Sequence, residues 1–361
     1  MPAEGAALIG GMPVETLRCV PSTGDRRPGF ASADVVPGRG MLLAQAGLRL
    51  TDGREVGLLA VPPVVPGLGT LDGGPADFAG NASFGLGAAL LIPYANRIRG
   101  RSGPVRTLET QVLGETVRLP RNWGGKAPGA EQYAMHGLIL DRPVDRLERP
   151  TSQRIEAVID AGDFGGHWLS RTELRIAVTL QPLALELEVV AANVGTETLP
   201  IGFGWHPYFA LPSGRREQAR VRLPARRRLE VNDYDEVLPT GRVLGVAGTA
   251  YDFTSPDGAA LGEGYFDDCF VDLEKAPDGS TVCEIMDPAA GYGLRVTSPT
   301  PQVNAIQLYA PPDKPFVVLE PVTNWPDPFG AEWGPDAETG MTRLEPGQTT
   351  AYRVRVEPFG L

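Results

Sequence analysis

Three histidines stand in the chain, and one of them, His206, lies in a stretch suited to proton chemistry. The run Gly202-Phe203-Gly204-Trp205-His206-Pro207-Tyr208-Phe209 sets an imidazole among aromatic rings. Pro207 pushes His206 toward extended backbone, because the pyrrolidine ring disfavours the helical region for the residue before it. An imidazole can donate or accept a proton near neutral pH, and aromatic rings suit the apolar C–H faces of a pyranose. A core histidine satisfied by one backbone bond is the competing reading.

Other side chains invite the same question. Glu320 closes the apolar run Phe316-Val317-Val318-Leu319 and precedes Pro321. A carboxylate at the end of a buried strand is costly unless it is hydrogen-bonded or functional. Asn96-Arg97 follows the apolar Leu90-Leu91-Ile92-Pro93; the guanidinium is either a fork for sugar hydroxyls or a side chain reaching solvent. His136 precedes Gly137, whose missing Cβ lets backbone come close to whatever the histidine touches. Asp267 and Asp268 are adjacent, so on a strand they face opposite sides. The expectation is Asp267 toward a cleft and Asp268 toward solvent or a backbone partner. His167, in Gly165-Gly166-His167-Trp168, reads as a loop or turn-end residue.

These residues need strands to position them. Leu174, Ile176, Val178 and Leu180 alternate with Arg175, Ala177 and Thr179, and Leu183 to Val190 and Tyr352 to Val356 repeat the pattern. Period two over such lengths predicts antiparallel sheet with one wet face. Thr51-Asp52-Gly53 between the apolar runs 41–50 and 56–64 predicts a hairpin. The 45 glycines and 35 prolines among 361 residues belong in many turns between short strands. The expected fold is all-β, in one domain over residues 1–361, with helix confined to short turns. Residues 1–40 show little periodicity and could form an N-terminal arm or hairpin.

A formal net charge of −11 argues against nucleic acid or an anionic membrane surface as partner. Cys19, Cys269 and Cys283 have neither disulfide-framework nor zinc-site spacing. Met1 to Gly11 lacks the basic and apolar parts of a signal peptide, and no apolar run is long enough to span a membrane. A soluble, reducing, cytoplasmic setting is expected. The arginines between Arg215 and Arg228 are read as a solvated face, with a phosphate clamp as the minority reading.

Taken in order, Tyr94-Ala95-Asn96-Arg97-Ile98, His136-Gly137, His206-Pro207-Tyr208-Phe209, Leu238-Pro239-Thr240-Gly241, Asp267 to Phe270 and Leu319-Glu320-Pro321 resemble the aldose 1-epimerase (galactose mutarotase-like) family. The resemblance runs from Asn96 to Glu320, about two-thirds of the chain. It implies a large antiparallel β-sandwich of the galactose mutarotase type (a supersandwich). It also implies Glu320 as catalytic base and His206 as catalytic acid, with Arg97, His136 and Asp267, beside Asn96 and Tyr208, binding the sugar. Two departures stand out: Asp268 occupies a position where better-known members have histidine, and the tail 322–328 lacks a glutamine associated with galactose-active members.

The implied chemistry interconverts the α and β anomers of a free aldose, expected to be a hexose, with no cofactor and no metal. One base and one acid on opposite sides of the sugar suffice. A glycoside hydrolase or lyase on the same fold would need a carboxylate pair, Glu320 with Asp267 or Asp268. A non-catalytic sugar-binding protein would need no acid/base pair at all.

Overall fold

The computed structural model describes residues 8–19, 27–60, 70–125 and 129–361. The alternating runs fold into two large antiparallel sheets. In the nine-stranded sheet, Thr172–Gln181, Ala184–Asn193, Thr349–Gly360 and Tyr292–Ser298 are consecutive neighbours. The first two pair along their whole length, from Thr172↔Asn193 to Gln181↔Ala184. The eleven-stranded sheet places Phe266–Leu273, Ala305–Ala310, Phe316–Val322, Gly204–Ala210 and Ala88–Leu91 side by side. Helix among the described residues is confined to 3-10 segments. None of the described helices is long and apolar enough to cross a membrane.

The Asp52-Gly53 turn forms as its sequence requires. Leu42–Arg49 returns as Glu55–Gly57, Gly53 takes φ +86°, and the Asp52 carboxylate accepts the Arg54 N–H at 2.9 Å. Residues 61–64 of the expected second run lie outside the described residues. Within the N-terminal stretch, Glu15–Arg18 and Gly29–Val36 pair with each other in the eleven-stranded sheet; residues 1–7 and 20–26 lie outside the described set.

The sheets bury their apolar faces against each other. Trp205, Phe209, Ile306, Leu308, Val317 and Leu319 share one core with Ile176, Val178, Leu187, Val189, Tyr352 and Val354. Tyr352 fastens the layers: its hydroxyl donates to the Pro321 carbonyl at 2.6 Å, and its ring stacks on Phe203 at 5.6 Å. Because successive strand residues point to opposite faces, the strands that bury Trp205, Ile306, Leu308 and Leu319 turn His206, Gln307 and Glu320 the other way. That second face carries the polar side chains.

Two prolines shape it. Gly204↔Val322 and Tyr208↔Val318 pair across neighbouring strands, and the residues between them do not. Pro207 and Pro321 lie in that gap and have no N–H to donate. The ladder therefore opens beside the two side chains, and the flanking register sets His206 across from Glu320.

Removing the Tyr352 hydroxyl leaves the buried Pro321 carbonyl without its donor. Tyr352→Phe should lower stability by about 1–3 kcal/mol, read in urea as a lower midpoint with unchanged slope.

Candidate active site

The cavity on that face has a volume of about 140 Å³, and His206, Tyr208, Asn96, Arg97, His136, Asp267 and Glu320 all line it. His206 Nε2 lies 3.3 Å from Glu320 Oε1, with both side chains buried. Rings crowd the pair: Tyr208 is 4.8 Å and His136 5.0 Å from the His206 ring, centroid to centroid. A wider groove of about 720 Å³ runs along residues 328–341, and none of these side chains lines it.

Asn96 and His136 come from loops held in unusual backbone. Both have φ +61°, a left-handed conformation that asparagine and histidine adopt more often than most residues. Each supports the other: the His136 N–H donates to the Asn96 carbonyl at 3.0 Å, and the Asn96 N–H donates to His136 Nδ1 at 3.3 Å. That second bond makes Nδ1 the acceptor and leaves the proton of a neutral ring on Nε2. His136 Nε2 is buried and has no partner in the protein, and neither has Arg97 Nε. Gly137 takes φ +84°, and a Cβ there would meet the Ile92 carbonyl oxygen at 2.2 Å, so only glycine lets the loops approach this closely.

A chain of amides fixes the rest. Asn96 Nδ2 donates to Gln307 Oε1 at 3.1 Å, and Gln307 Nε2 donates to Asp267 Oδ1 at 2.6 Å. Asn96 Oδ1 accepts from Arg97 Nη1 at 3.0 Å, while Arg97 Nη2 stands 3.9 Å from Asp267 Oδ2. The tail after Glu320 braces the same loop. Asn324 bonds both the N–H and the carbonyl of Ala95, at 3.0 and 3.1 Å, and the Asp327 N–H donates to the Arg97 carbonyl at 2.7 Å.

Burial dominates the electrostatics. Burial, with the Arg97 charge beside it, lowers the His206 pKa to about 4 against an opposing backbone hydrogen bond. His136 is pushed well below the ordinary histidine value by burial and by the charges of His206 and Arg97. Burial raises Glu320 well above the usual carboxylate range, Asp267 adds to this, and Arg97 opposes it. Asp267 is raised by burial, with Arg97 and the Gln307 bond opposing.

The aspartates separate as strand geometry demands; Asp268 does not reach solvent, and its Oδ2 accepts the backbone N–H of Asp267 at 3.3 Å. It is fully buried, with Oδ1 2.8 Å from Arg228 and Oδ2 accepting the Tyr234 hydroxyl at 2.8 Å. Burial holds its pKa near 6 despite these partners. The arginine run is a solvated face at Arg215, Arg226 and Arg227, which are exposed, but Arg216 is buried on the carbonyls of Gly262, Gly264 and Ala310. No arginine of that run lines the cavity. His167 is a loop residue whose Nδ1 meets the Arg118 carbonyl at 2.6 Å.

Several lining residues carry no mark of function in their local sequence. Gln307 had the strongest available signal, a lone amide in Ala305-Ile306-Gln307-Leu308. Phe84 packs edge-on against His136 at 5.1 Å and against Trp123 at 5.8 Å, yet comes from a segment with no periodicity. Tyr234, Tyr265 and Tyr309 close the cavity from strand ends and loops.

Two stacked antiparallel sheets with this cavity on one face define a galactose mutarotase-like β-sandwich. Solved structures share it along nearly the whole chain. An aldose epimerase homologue from C. elegans superposes with a TM-score of 0.70 at 16% identity, covering 96% of this chain and 99% of that one. A galactose mutarotase-like protein from Clostridium acetobutylicum gives 0.69 at 18% identity, covering 92% and 93%. Galactose 1-epimerase from Lactobacillus acidophilus gives 0.61 at 18% identity, covering 96% and 98%. The chain belongs to the aldose 1-epimerase family, whose model matches residues 73–357. By sequence it is also 29% identical over 191 residues to the uncharacterized protein YphB of Escherichia coli K12, a match spanning 50% of this chain and 58% of that protein.

The aspartates can be told apart by measurement. Asp267→Asn should weaken use of a sugar about 10-fold or more with little loss of stability, since the amide still meets Gln307 but no longer balances Arg97. Asp268→Asn should leave Arg228 without its buried counter-charge and cost about 3–5 kcal/mol in denaturant unfolding. The opposite pattern would exchange the two roles.

Proposed function

We propose that the protein is an aldose 1-epimerase acting on a free aldose, expected to be a hexose, with Glu320 as base and His206 as acid. The observation that carries this reading is the 3.3 Å approach of His206 Nε2 to Glu320 Oε1 inside a ring-lined cavity. The two groups come from one wall and not from opposite sides of a bound sugar. That arrangement serves the reaction, because O1 and O5 are bonded to the same carbon and a side-by-side pair reaches both.

The steps balance without a further reagent. Glu320 takes the proton of the C1 hydroxyl while His206 gives one to O5. The C1–O5 bond breaks, C1=O1 forms, rotation about C1–C2 exposes the other aldehyde face, and reclosure returns both protons. Arg97, Asp267 and the free Nε2–H of His136 hold ring hydroxyls meanwhile, so that only C1 turns. Asn96 and Gln307 fix those three side chains, and Tyr208 packs against the acid.

Burial lowers His206 and raises Glu320, so the resting pair shares one proton with the neutral tautomer favoured. A hop along the 3.3 Å contact yields the ionised base and protonated acid with no change in total charge. An arriving O1–H, a donor to the carboxylate, favours that second tautomer.

The pH dependence follows. Below about pH 4 the pair gains a second proton and no base remains. Above the raised Glu320 value it loses its one proton and no acid remains. A plot of kcat/KM against pH should be bell-shaped, with an acid limb near pH 4 and limbs that belong to the pair and not to either residue. Polarimetry of fresh α-anomers should show Glu320→Gln and His206→Asn each slower by about 10²–10⁴-fold. The double variant should be little worse than the worse single one. Wild-type mutarotation in Glu320→Gln would overturn this mechanism, and release of product from a glycoside, unaffected by His206→Asn, would favour hydrolysis instead.

A further inference from the structure

Arg97 stands in the cavity with fewer partners than its charge requires. The residue is 4% exposed, Nη1 donates to Asn96 Oδ1 at 3.0 Å, and Nη2 stands 3.9 Å from Asp267 Oδ2, beyond hydrogen-bond distance. Its Nε is buried without a partner. Burial lowers the Arg97 pKa below the ordinary arginine value, with Asp267 and Glu320 opposing. A buried cation paired this loosely gains by withdrawing toward water, and a long arginine stem can swing there if its backbone gives way. Something outside the cavity must hold that backbone.

Residues 97–99 are held from both sides. On one side Arg97 pairs with Met135. On the other, Asp327 grips the chain three times: its N–H donates to the Arg97 carbonyl at 2.7 Å, Oδ1 accepts the Arg99 N–H at 3.1 Å, and Oδ2 accepts from Arg99 Nε at 2.7 Å. Asp327 is buried and takes φ +48°, left-handed backbone that aspartate tolerates better than most residues. The turn that follows fixes it in place. The Gly330 N–H and the Trp333 indole N–H both donate to the Asp327 carbonyl, at 2.8 and 3.1 Å, and Glu332 forms an ion pair with Arg99 Nη2. Arg99 is thus one cation between two carboxylates, and none of these three side chains lines the cavity.

We infer that Asp327 is a positioning residue for Arg97: clamped by Arg99 and by residues 330–333, it holds the chain so that the guanidinium stays in the cavity for a sugar hydroxyl. This rests on the reading of Arg97 as a hydroxyl-binding group. A carboxylate is needed because it accepts from two donors of Arg99 at once, whereas an amide accepts through one oxygen and turns N–H toward the second donor. Asp327 lies outside the cavity, so its effect reaches a ligand only through Arg97. The loss should therefore appear in binding, while the His206–Glu320 pair keeps its turnover.

The test compares Asp327→Asn, Arg99→Leu and Arg97→Ala, each alone and with Asp327→Asn placed on Arg97→Ala. Mutarotation of fresh α-glucose and α-galactose gives kcat and KM, and calorimetry gives affinity for the same sugars. Asp327→Asn should raise KM and Kd by about 10-fold, with kcat within about 2-fold of the unsubstituted protein. Arg99→Leu reaches the clasp from a half-buried position and keeps the Asp327 carboxylate, and it should shift both constants in the same direction. On the Arg97→Ala chain, Asp327→Asn should change kcat/KM by less than about 2-fold, because the residue it positions is gone. Unchanged KM and Kd in both Asp327→Asn and Arg99→Leu, or a loss that multiplies with that of Arg97→Ala, overturns the inference and leaves the epimerase reading intact. The same non-additive loss of affinity, in a protein that mutarotates neither sugar, upholds the clasp and removes the epimerase reading. Neither binding nor mutarotation of these sugars by the unsubstituted protein overturns both.

Discussion

An imidazole and a carboxylate 3.3 Å apart, both withdrawn from water, are the constraint around which the structure is arranged. Two unpaired charges buried this deeply would each cost several kcal/mol. The pair avoids that cost by holding one proton between its members, with burial favouring the neutral arrangement. On the mechanism we propose, what makes the site stable at rest also makes it reactive when a sugar arrives, since a proton hop creates both catalytic forms together. The sheet supplies the rigidity: His206 and Glu320 lie on central strands whose opposite faces are locked in the shared core.

The remaining walls are held less cheaply. Asn96 and His136 sit in left-handed backbone, a conformation that costs about 1–3 kcal/mol at a non-glycine residue. Their reciprocal hydrogen bonds, the Asn324 side chain on both polar atoms of Ala95, and the Asp327 N–H on the Arg97 carbonyl offset it. The result is a guanidinium and an imidazole that each keep a buried nitrogen without a protein partner. Val237 adds a further strained wall position, a β-branched residue at φ +55° lining the cavity.

Charge outside the cavity follows a different logic. The arginines near Arg216 and Arg228 satisfy loop carbonyls and the buried Asp268, not a ligand. A phosphate clamp read from their density in the sequence has no counterpart in the cavity wall. Arg97 is the one arginine lining that cavity among the described residues, and Asp267 already faces it.

Much of this was legible in the chain alone. Period-two alternation in 174–180, 183–190 and 352–356 requires sheets with one apolar face, because side chains on a strand alternate sides whatever the fold. The same rule separates Asp267 from Asp268, and family resemblance joined His206 to Glu320. Sequence could not show that Asp268 is buried on Arg228, since ion pairing joins residues 40 positions apart. Nor could it find Phe84, Trp123 or Tyr309 in the wall, because a cavity is lined by whatever loops the sheets bring together, and those loops carry no periodicity. Local pattern fixes which face of a strand a side chain takes. Only packing of distant strands decides that Gln307 lies opposite Glu320, that Pro207 and Pro321 open the ladder together, and that His206 and Glu320 meet from one wall.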